Sequence, residues 1–364
     1  MKKVLAIVLV AILTLSFVAC TPAAPSGGDD SSAPSVKVGV SMPTQSLQRW
    51  NQDGDNMKKM LEEAGYEVDL QYANNEVSTQ VSQIENMIAG GCKVLVIAAI
   101  EGDSLTTVLE TAKTNDVKVI AYDRLIMGSD AVSYYATFDN YKVGTMQGEY
   151  IKAALDLDNA EGPFNIEFIT GDPGDNNINF FFGGAIDVLQ PYIDEGKLVT
   201  PSGQTTKEQV ATPGWSTESA QQRFDNIIMS VGYGPDGTKL DAVLASNDST
   251  AQGVTNALLA AGFTAENFPV LTGQDCDKTS VINMIAGTQS MSVFKDTRTL
   301  AAQVVKMVDA LMKGQEPPVN DTKTYDNGTG IIPSFLCDPV AGTIDNYAEL
   351  LLDSGYYQPA DLGL

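Results

Sequence analysis

Short apolar runs alternate with segments of helical periodicity along most of the chain, starting at Val36. The first predicted strands cover residues 36–42, 66–73, 93–99 and 117–122, and the helices between them cover 45–65, 78–90 and 104–115. Continuous apolar runs are typical of strands that are buried on both faces of a parallel sheet. The alternation predicts right-handed crossovers, with helices on both sides of that sheet.

The alternation restarts after residue 140 and continues to residue 313. The later predicted strands cover 164–170, a short segment near 197, 241–246, 269–273 and 291–294, and the helices cover 141–156, 177–192, 217–231, 250–262, 277–286 and 297–313. Two sets of alternating elements exceed what one compact core accommodates, and a chain of 364 residues is long enough for two domains. The pattern therefore predicts an α/β protein with two similar lobes.

The first 35 residues differ from the rest. Residues 1–20, "MKKVLAIVLVAILTLSFVAC", combine two lysines, an apolar run and small Ala19 before Cys20, which is typical of a secretory signal. Because no stop-transfer flank follows, we predict a lipoprotein signal peptide with Cys20 as the lipidated first residue of the mature chain; an uncleaved membrane anchor is the alternative. Residues 21–35 are rich in Pro, Ser and Gly and predict a disordered tether. We expect an extracytoplasmic, lipid-anchored protein.

Charge and composition remove several classes of function. The formal net charge of −24 repels nucleic acid and anionic lipid, so we expect no nucleic-acid partner and membrane contact only through the lipid anchor. The absence of histidine excludes histidine-based triads, general bases and metal ligands. The G-x-G-x-x-G letters at 232–237 precede a predicted strand instead of following one, so we expect no cofactor and no metal. The three widely spaced cysteines after Cys20 are no disulfide framework and are expected to be buried thiols.

Polar side chains follow one predicted strand after another. They are Arg49 with Trp50, Asp123 with Arg124, Asp175 with Asn176 and Asn177, Asn247 with Asp248, Gln274 with Asp275, and Lys295. Ligands of open parallel sheets bind beyond the carboxyl ends of the strands, so these groups converge if both lobes face one cleft. Carboxylates, carboxamides and guanidinium groups make paired hydrogen bonds to adjacent hydroxyls, and the indoles of Trp50 and Trp215 can stack on a pyranose ring. The inventory predicts a sugar site.

Some of these residues also have purely structural interpretations. Asp123 and Arg124 could form a surface ion pair that ends a strand. Asn247 could cap the helix that follows it, since Asn is a favoured N-cap residue. Trp50 could simply pack in the core. The residue types alone leave these alternatives open.

Eight motifs resemble one family in order along the chain: "QRW", "VLVIAAIEG", "VIAYDRLI", "YYATFDNYKVG", "GDPGDNN", "ASNDSTAQG", "GQD" and "VFKDT". They resemble the bacterial extracytoplasmic sugar-binding proteins of ABC importers, which include the D-xylose-binding protein and the multiple-sugar-binding receptor. The resemblance runs from Val36 to Tyr357. It implies a type I periplasmic-binding-protein fold with two doubly wound parallel-sheet lobes joined by a three-segment hinge. By that pattern the first lobe is 36–138 plus 296–326, and the second is 139–295 plus 327–364.

The resemblance also implies the site and its use. The ligand-binding residues would be Arg49, Trp50, Asp123, Arg124, Asp175, Asn177, Trp215, Asn247, Asp275 and Lys295, with no catalytic residue. The protein would be a non-enzymatic monomer that captures a monosaccharide such as xylose, glucose or galactose and delivers it to an ABC permease with its cytoplasmic ATPase. The alternatives are a sugar sensor that presents ligand to a chemoreceptor or receptor kinase, and an extracytoplasmic glycoside hydrolase. The sequence does not identify the sugar.

Overall fold

The structure, a computed structural model, describes residues 35–364, and residues 36–364 form one compact unit. The predicted signal peptide, Cys20 and the tether up to residue 34 lie outside the described residues. No helix among residues 35–364 is both long and apolar enough to span a bilayer.

The first sheet has six parallel strands in the order β11-β5-β4-β3-β1-β2. These are β1 (Lys37–Met42), β2 (Glu67–Tyr72), β3 (Val94–Ile97), β4 (Lys118–Tyr122), β5 (Val132–Phe138) and β11 (Ser334–Cys337). Successive side chains of a strand point to opposite faces, so β3 buries Leu95 and Ile97 in one core and Val94 and Val96 in another. Two cores on one sheet explain why its central strands are apolar throughout.

The second sheet has four parallel strands in the order β7-β6-β8-β9, accompanied by an antiparallel pair, β10-β12. The strands are β6 (Phe164–Ile169), β7 (Leu198–Val199), β8 (Ala242–Ala245), β9 (Val270–Leu271), β10 (Met291–Phe294) and β12 (Val340–Thr343). A single parallel pairing between Gln274 and Val293 connects β10 to the end of β9. β8 also faces two cores, with Val243 in one and Leu244 in the other.

Helices cover both faces of each sheet. They are α1 (Gln48–Glu63), α2 (Val77–Ala89), α3 (Thr106–Thr114), α4 (Asn140–Ala154), α5 (Asn177–Asp194), α6 (Lys207–Val210), α7 (Thr217–Val231), α8 (Asp248–Ala260), α9 (Lys278–Ala286) and α10 (Thr297–Met312). Short helical turns at Pro213–Trp215, Ala348–Asp353 and Pro359–Leu362 complete the described elements. The predicted type I periplasmic-binding-protein architecture, α/β with two doubly wound sheets, is therefore confirmed.

The chain passes between the two sheets three times. The first passage lies between β5 and α4, and the second lies between β10 and α10, which packs beside α1 on the first sheet. The third differs from the predicted boundary at 326/327, because β11 pairs in register with β5, Ser334 opposite Tyr135, and so belongs to the first sheet. The chain returns to the second sheet only after Cys337, where β12 pairs with β10.

Candidate functional site

All ten side chains predicted for the site line one cavity between the carboxyl ends of the two sheets. Leu47, Phe181 and Gln274 complete its lining. Arg49, Trp50, Asp123 and Arg124 come from elements of the first sheet, and the others come from elements of the second sheet or, for Lys295, from the passage between them. Closing the cavity therefore requires both lobes.

Asp123 stands directly after β4 in left-handed backbone conformation, with φ 58°. Its N–H donates to the Ala136 carbonyl at 2.8 Å, which extends the pairing of β4 with β5 by one residue before the chain turns. Its own carbonyl accepts from the Tyr135 hydroxyl at 2.5 Å, the Thr137 hydroxyl at 3.0 Å and the Asn177 amide at 2.8 Å. Three donors on one carbonyl fix a residue that the backbone alone does not favour.

Asp275 repeats this arrangement in the second lobe. It follows β9 with φ 99°, and its N–H donates to the Val293 carbonyl of β10 at 2.8 Å. The two aspartates therefore enter the cavity from equivalent strand ends of opposite lobes. Left-handed non-glycine residues are uncommon, and they cluster where a site needs a fixed side-chain direction.

Arg49 connects the two aspartates. Its Nη2 lies 3.0 Å from Asp123 Oδ2, and its Nη1 lies 3.4 Å from Asp275 Oδ1. From behind, Nε and Nη2 donate to Asp53 Oδ2 at 2.9 and 2.8 Å, and Asp53 Oδ1 accepts from the Tyr122 hydroxyl. A planar guanidinium held on one side by a carboxylate has a fixed orientation on the other.

The remaining cations are also paired with carboxylates. Lys295 Nζ lies 3.0 Å from Asp275 Oδ1 and 3.8 Å from Asp123 Oδ2. Arg124 Nε lies 3.1 Å from Asp175 Oδ2 across the cleft, and its Nη1 donates to the Ala99 carbonyl at 3.1 Å. Positive and negative groups thus alternate around the cavity, and two of the pairs join the lobes directly.

Trp215 is 4% exposed and lies flat against a glycine. An ideal Cβ built on Gly171 would sit 2.1 Å from two carbons of the indole, so the ring contacts the backbone of the loop after β6. Phe181 packs edge-on against it, with centroids 6.2 Å apart and an interplanar angle of 72°. Trp215 itself has φ 56°, an outlier for a bulky residue. The indole is a platform held in one position.

Trp50 both packs in the core and lines the cavity. It is 2% exposed and belongs to a core cluster of the first lobe, yet it also lines the cavity. The guanidinium carbons of Arg49 and Arg124 lie 4.4 and 5.1 Å from its ring centroid, within cation–π distance. Its ring therefore supports two arginines of the site.

The two asparagines are positioned by helix starts. Asn177 is the first residue of α5, where its Oδ1 accepts from the Asn140 amide at 3.0 Å. Asn247 caps α8 by accepting from the Thr250 N–H at 3.0 Å, and its Nδ2 donates to Ser249 Oγ at 2.7 Å. Capping and cavity lining coexist at Asn247, because the helix starts at the strand end where the cavity lies.

The ionisation of the central groups follows from these contacts. Burial raises the pKa of the Asp123 carboxyl, but attraction to Arg49, Lys295 and Arg124 outweighs burial and holds the pKa below its usual value. Burial lowers the pKa of Arg49, yet Asp123, Asp53 and Asp275 together keep it well above its usual value. Both groups are charged at neutral pH, so the cavity presents an ionised carboxylate and a guanidinium side by side.

Comparison with known proteins identifies the family. A family model described as the periplasmic binding protein domain matches residues 38–316. The chain belongs to this family. The multiple sugar-binding periplasmic protein SbpA of Azospirillum brasilense is 50% identical over 325 residues, which are 89% of this chain and 90% of that protein. The D-xylose-binding periplasmic protein of Escherichia coli (strain K12) is 36% identical over 330 residues, 91% of this chain and 93% of that protein.

A solved structure extends the comparison to three dimensions. The crystal structure of an ABC transporter solute binding protein from Clostridium phytofermentans, with bound β-D-glucose, is 69% identical to this periplasmic binding protein and superposes with a TM-score of 0.87. The match covers 90% of this chain and 99% of that chain. The predicted resemblance to extracytoplasmic sugar-binding proteins is confirmed.

Three residues at or directly behind the cavity wall of this periplasmic binding protein were not predicted from the sequence. Phe181 and Asp53 each lie one helical turn after a predicted site residue, four positions from Asn177 and Arg49 respectively, and residues spaced by four share a helix face. That spacing is the signal that finds them. Leu47, just before α1, carries no such signal, since an isolated leucine in a loop is common.

Buried polar atoms without protein partners mark the cavity wall. Within residues 35–364, the indole N–H groups of Trp50 and Trp215 and the amide oxygen of Gln274 are buried and make no hydrogen bond to protein. Asp123 Oδ2 is a fourth such atom on the cavity lining, although it lies near the Arg49 and Lys295 cations. Buried polar atoms are normally paired, so these four atoms around one cavity suit a ligand that both donates and accepts. No group of three or more histidine, cysteine, aspartate or glutamate side chains in this part of the chain is arranged to hold a metal ion.

Proposed function

We propose that this periplasmic binding protein captures a monosaccharide, an aldopyranose, in the cavity between its lobes and delivers it to an ABC-type import permease. The observation that carries the proposal is the convergence on one cavity of two aspartates, an arginine held between them and a tryptophan platform. A pyranose has a polar edge and apolar C–H faces, and this set of side chains complements both.

The polar atoms of the cavity wall support a hydroxylated ligand. The unpartnered Trp215 N–H, Trp50 N–H and Gln274 oxygen would contact hydroxyls, which both donate and accept. Leaving such groups unpaired costs about 1–3 kcal/mol each, so a fully hydroxylated ligand is favoured over an apolar one.

The capture mechanism is hinge closure without covalent chemistry. Arg49 with Asp275 and Arg124 with Asp175 pair across the cleft, and a sugar between them would contact both lobes only in the closed state. A ligand stabilises the state in which it makes more contacts, so binding shifts the protein towards closure. The three passages between the sheets would provide the hinge.

D-glucose is the first sugar to test, because the Clostridium phytofermentans structure contains β-D-glucose, and xylose follows from the Escherichia coli relative. Isothermal titration calorimetry against glucose, xylose, galactose, arabinose and ribose should give at least one dissociation constant in the micromolar range or tighter. A micromolar constant corresponds to a binding free energy of about 8 kcal/mol. A complete absence of heat and of thermal shift across this panel would refute the proposal.

Hydrolysis is disfavoured by how the carboxylates are occupied. A glycoside hydrolase needs one carboxylic acid free to donate a proton and a second carboxylate across the bond. Asp175 accepts the Asn177 N–H through Oδ1 at 3.0 Å and faces Arg124 through Oδ2, while Asp123 stays ionised between cations. We therefore propose a non-enzymatic role, and release of sugar from a panel of glycosides would contradict it.

Anchoring and partners complete the proposal. We propose that Cys20 carries lipid and that the mature protein acts as a monomer outside the cytoplasmic membrane. Mass spectrometry of the native protein should find the lipid on Cys20, and an unmodified Cys20 would contradict anchoring. Deleting the gene should abolish uptake of the bound sugar. If uptake survives while chemotaxis or a sugar response is lost, the sensor alternative replaces transport.

A further inference from the structure

Asp172, in the loop after β6, is a carboxylate that joins two loops of the second lobe. Its Oδ1 accepts the Gly174 N–H at 2.7 Å, and its Oδ2 accepts the Gly214 N–H at 2.5 Å. Asp172 does not line the cavity, although its neighbour Gly171 carries the Trp215 ring. The two bonds therefore connect the loop beneath the indole to the turn that contains it.

The Gly214 bond stabilises an unusual turn. Gly214 and Trp215 are consecutive left-handed residues, with φ 64° and 56°. The Trp215 N–H donates to the Thr212 carbonyl at 3.1 Å, and the Thr212 N–H donates to the Gly171 carbonyl at 2.9 Å. A carboxylate that accepts from the first left-handed residue offsets the strain of the second, because hydrogen bonds to charged groups are the stronger kind.

Gly174, which bonds to Asp172 through its N–H, also contacts the other lobe through its carbonyl. The Gly174 carbonyl accepts the N–H of Gly102, in the loop after β3, at 3.1 Å, and the Gly102 carbonyl accepts the Met127 N–H at 2.8 Å. An ideal Cβ on Gly174 would lie 3.0 Å from Asp172 Oδ1 and 3.1 Å from Glu101 Cγ. Gly174 is therefore held between Asp172 of its own lobe and the Glu101–Gly102 loop of the opposite lobe.

We propose that Asp172 is a positioning residue that couples the turn at Gly214 and Trp215 to the contact of Gly174 with Gly102 of the opposite lobe. A sugar that stacks on Trp215 stabilises the turn at Gly214. Asp172 bonds both to the Gly214 N–H and to the Gly174 N–H, so a fixed turn also fixes Gly174. The Gly174 carbonyl is then held where it accepts the Gly102 N–H of the opposite lobe. Closure is thereby favoured when the platform is occupied. The inference rests on the proposed sugar-binding function, since it concerns how the bound ligand holds the lobes together.

The test is the rate of sugar release. The two tryptophans of the chain both line the cavity, so stopped-flow tryptophan fluorescence with D-glucose reports on the site. Asp172→Ala should raise the dissociation rate constant about tenfold or more and leave the association rate constant within about twofold, because the contact forms after the sugar has entered an open cleft. Asp172→Asn keeps the side-chain volume and one oxygen acceptor, so it should give a smaller increase.

Asp321→Ala is the matched control. Asp321 also accepts two backbone N–H groups, from Lys323 at 3.0 Å and Thr324 at 2.9 Å, in a loop that does not line the cavity. This variant should release glucose at the wild-type rate. A purely structural role for Asp172 would lower the unfolding temperature of the empty protein without a change in release.

The outcomes separate the two proposals. If the wild type binds glucose but Asp172→Ala releases it at the wild-type rate, the coupling is refuted and the sugar-binding function stands. If the wild type binds no sugar of the panel, the function fails and the coupling fails with it. If Asp172→Ala does not fold, Asp172→Asn decides: faster release supports the coupling and unchanged release refutes it.

Discussion

Replacing Gly171 by alanine is expected to weaken sugar binding through the displacement of Trp215. The added Cβ would lie 2.1 Å from the nearest indole carbons. To restore an ordinary van der Waals separation of 3.4 Å, the ring must move by at least 1.3 Å away from the loop. No left-handed backbone is involved at Gly171, so the effect is one of space alone.

The expected loss follows from the contacts that a displaced ring gives up. Aromatic stacking contributes about 0.5–1.5 kcal/mol beyond buried area, and hydrogen bonds from the sugar to charged groups, about 1.5–3 kcal/mol each, would be misaligned by the intruding ring. We expect the affinity for glucose to fall by at least about tenfold, about 1.4 kcal/mol, in calorimetry. Overpacking should also lower the stability of the empty protein by about 1–3 kcal/mol.

Gly183→Ala provides the matched control. Gly183 lies in α5 of the same lobe, and a Cβ at this position meets nothing within 4 Å. Alanine in a helix interior is more favourable than glycine by about 0.5–1 kcal/mol, so this variant should be slightly more stable and bind normally. If Gly171→Ala binds glucose with wild-type affinity, the idea that contact with Gly171 positions the Trp215 ring is refuted.

Three further predictions concern charge and closure. Asp123→Ala should cost about a hundredfold or more in affinity, since the Arg49 and Lys295 cations lose a shared carboxylate; intact affinity would remove Asp123 from the site. Burial, reinforced by Asp275, raises the pKa of Asp277 to about 7, so stability should fall as pH rises from about 4 through 7. The buried Asp248 next to it, Asp53 and Asp175 also have raised pKa values. The unfolding temperature of Asp277→Asn should therefore fall less over this range than that of the wild type, and parallel curves would contradict the prediction. Glucose should reduce the radius of gyration in small-angle scattering, and an unchanged radius at saturation would contradict closure.

The polar residues at strand ends could be predicted because the strands before them are buried on both faces. A run such as Val119 to Tyr122 has no polar face, so the first charged residue after it, Asp123, marks where the strand leaves the core. The same logic finds Asp275 and Asn247. The resemblance to a family then selects which of these residues share one cleft, which no local pattern can do.

Other features depend on contacts that the local sequence does not encode. β11 is short and only partly buried, and its partner β5 lies about 200 positions earlier, so nothing in its four residues identifies its sheet. The contact between Gly171 and Trp215 is similar. Gly171 is one of 32 glycines, and α5, β7 and α6 lie between it and Trp215 in the sequence. The left-handed backbone at Trp215 contradicts the preference of a bulky side chain, and tertiary contacts override that preference.

The left-handed backbone at Asp123, Trp215 and Asp275 restricts how sugar preference can be re-engineered. At these positions β-branched substitutions strain the backbone, so such variants are removed by misfolding and not by weak ligand binding. Glycine, asparagine and aspartate are the substitutions that the backbone accepts. Asn247, with φ −147°, and Asn177, at the start of a helix, carry no such backbone restriction, but Asn247 caps α8 and Asn177 donates to the Asp123 carbonyl. A library that limits Asn247 to residues that cap helices and uses a narrow codon set at the three left-handed positions would sample new specificities with fewer unfolded clones.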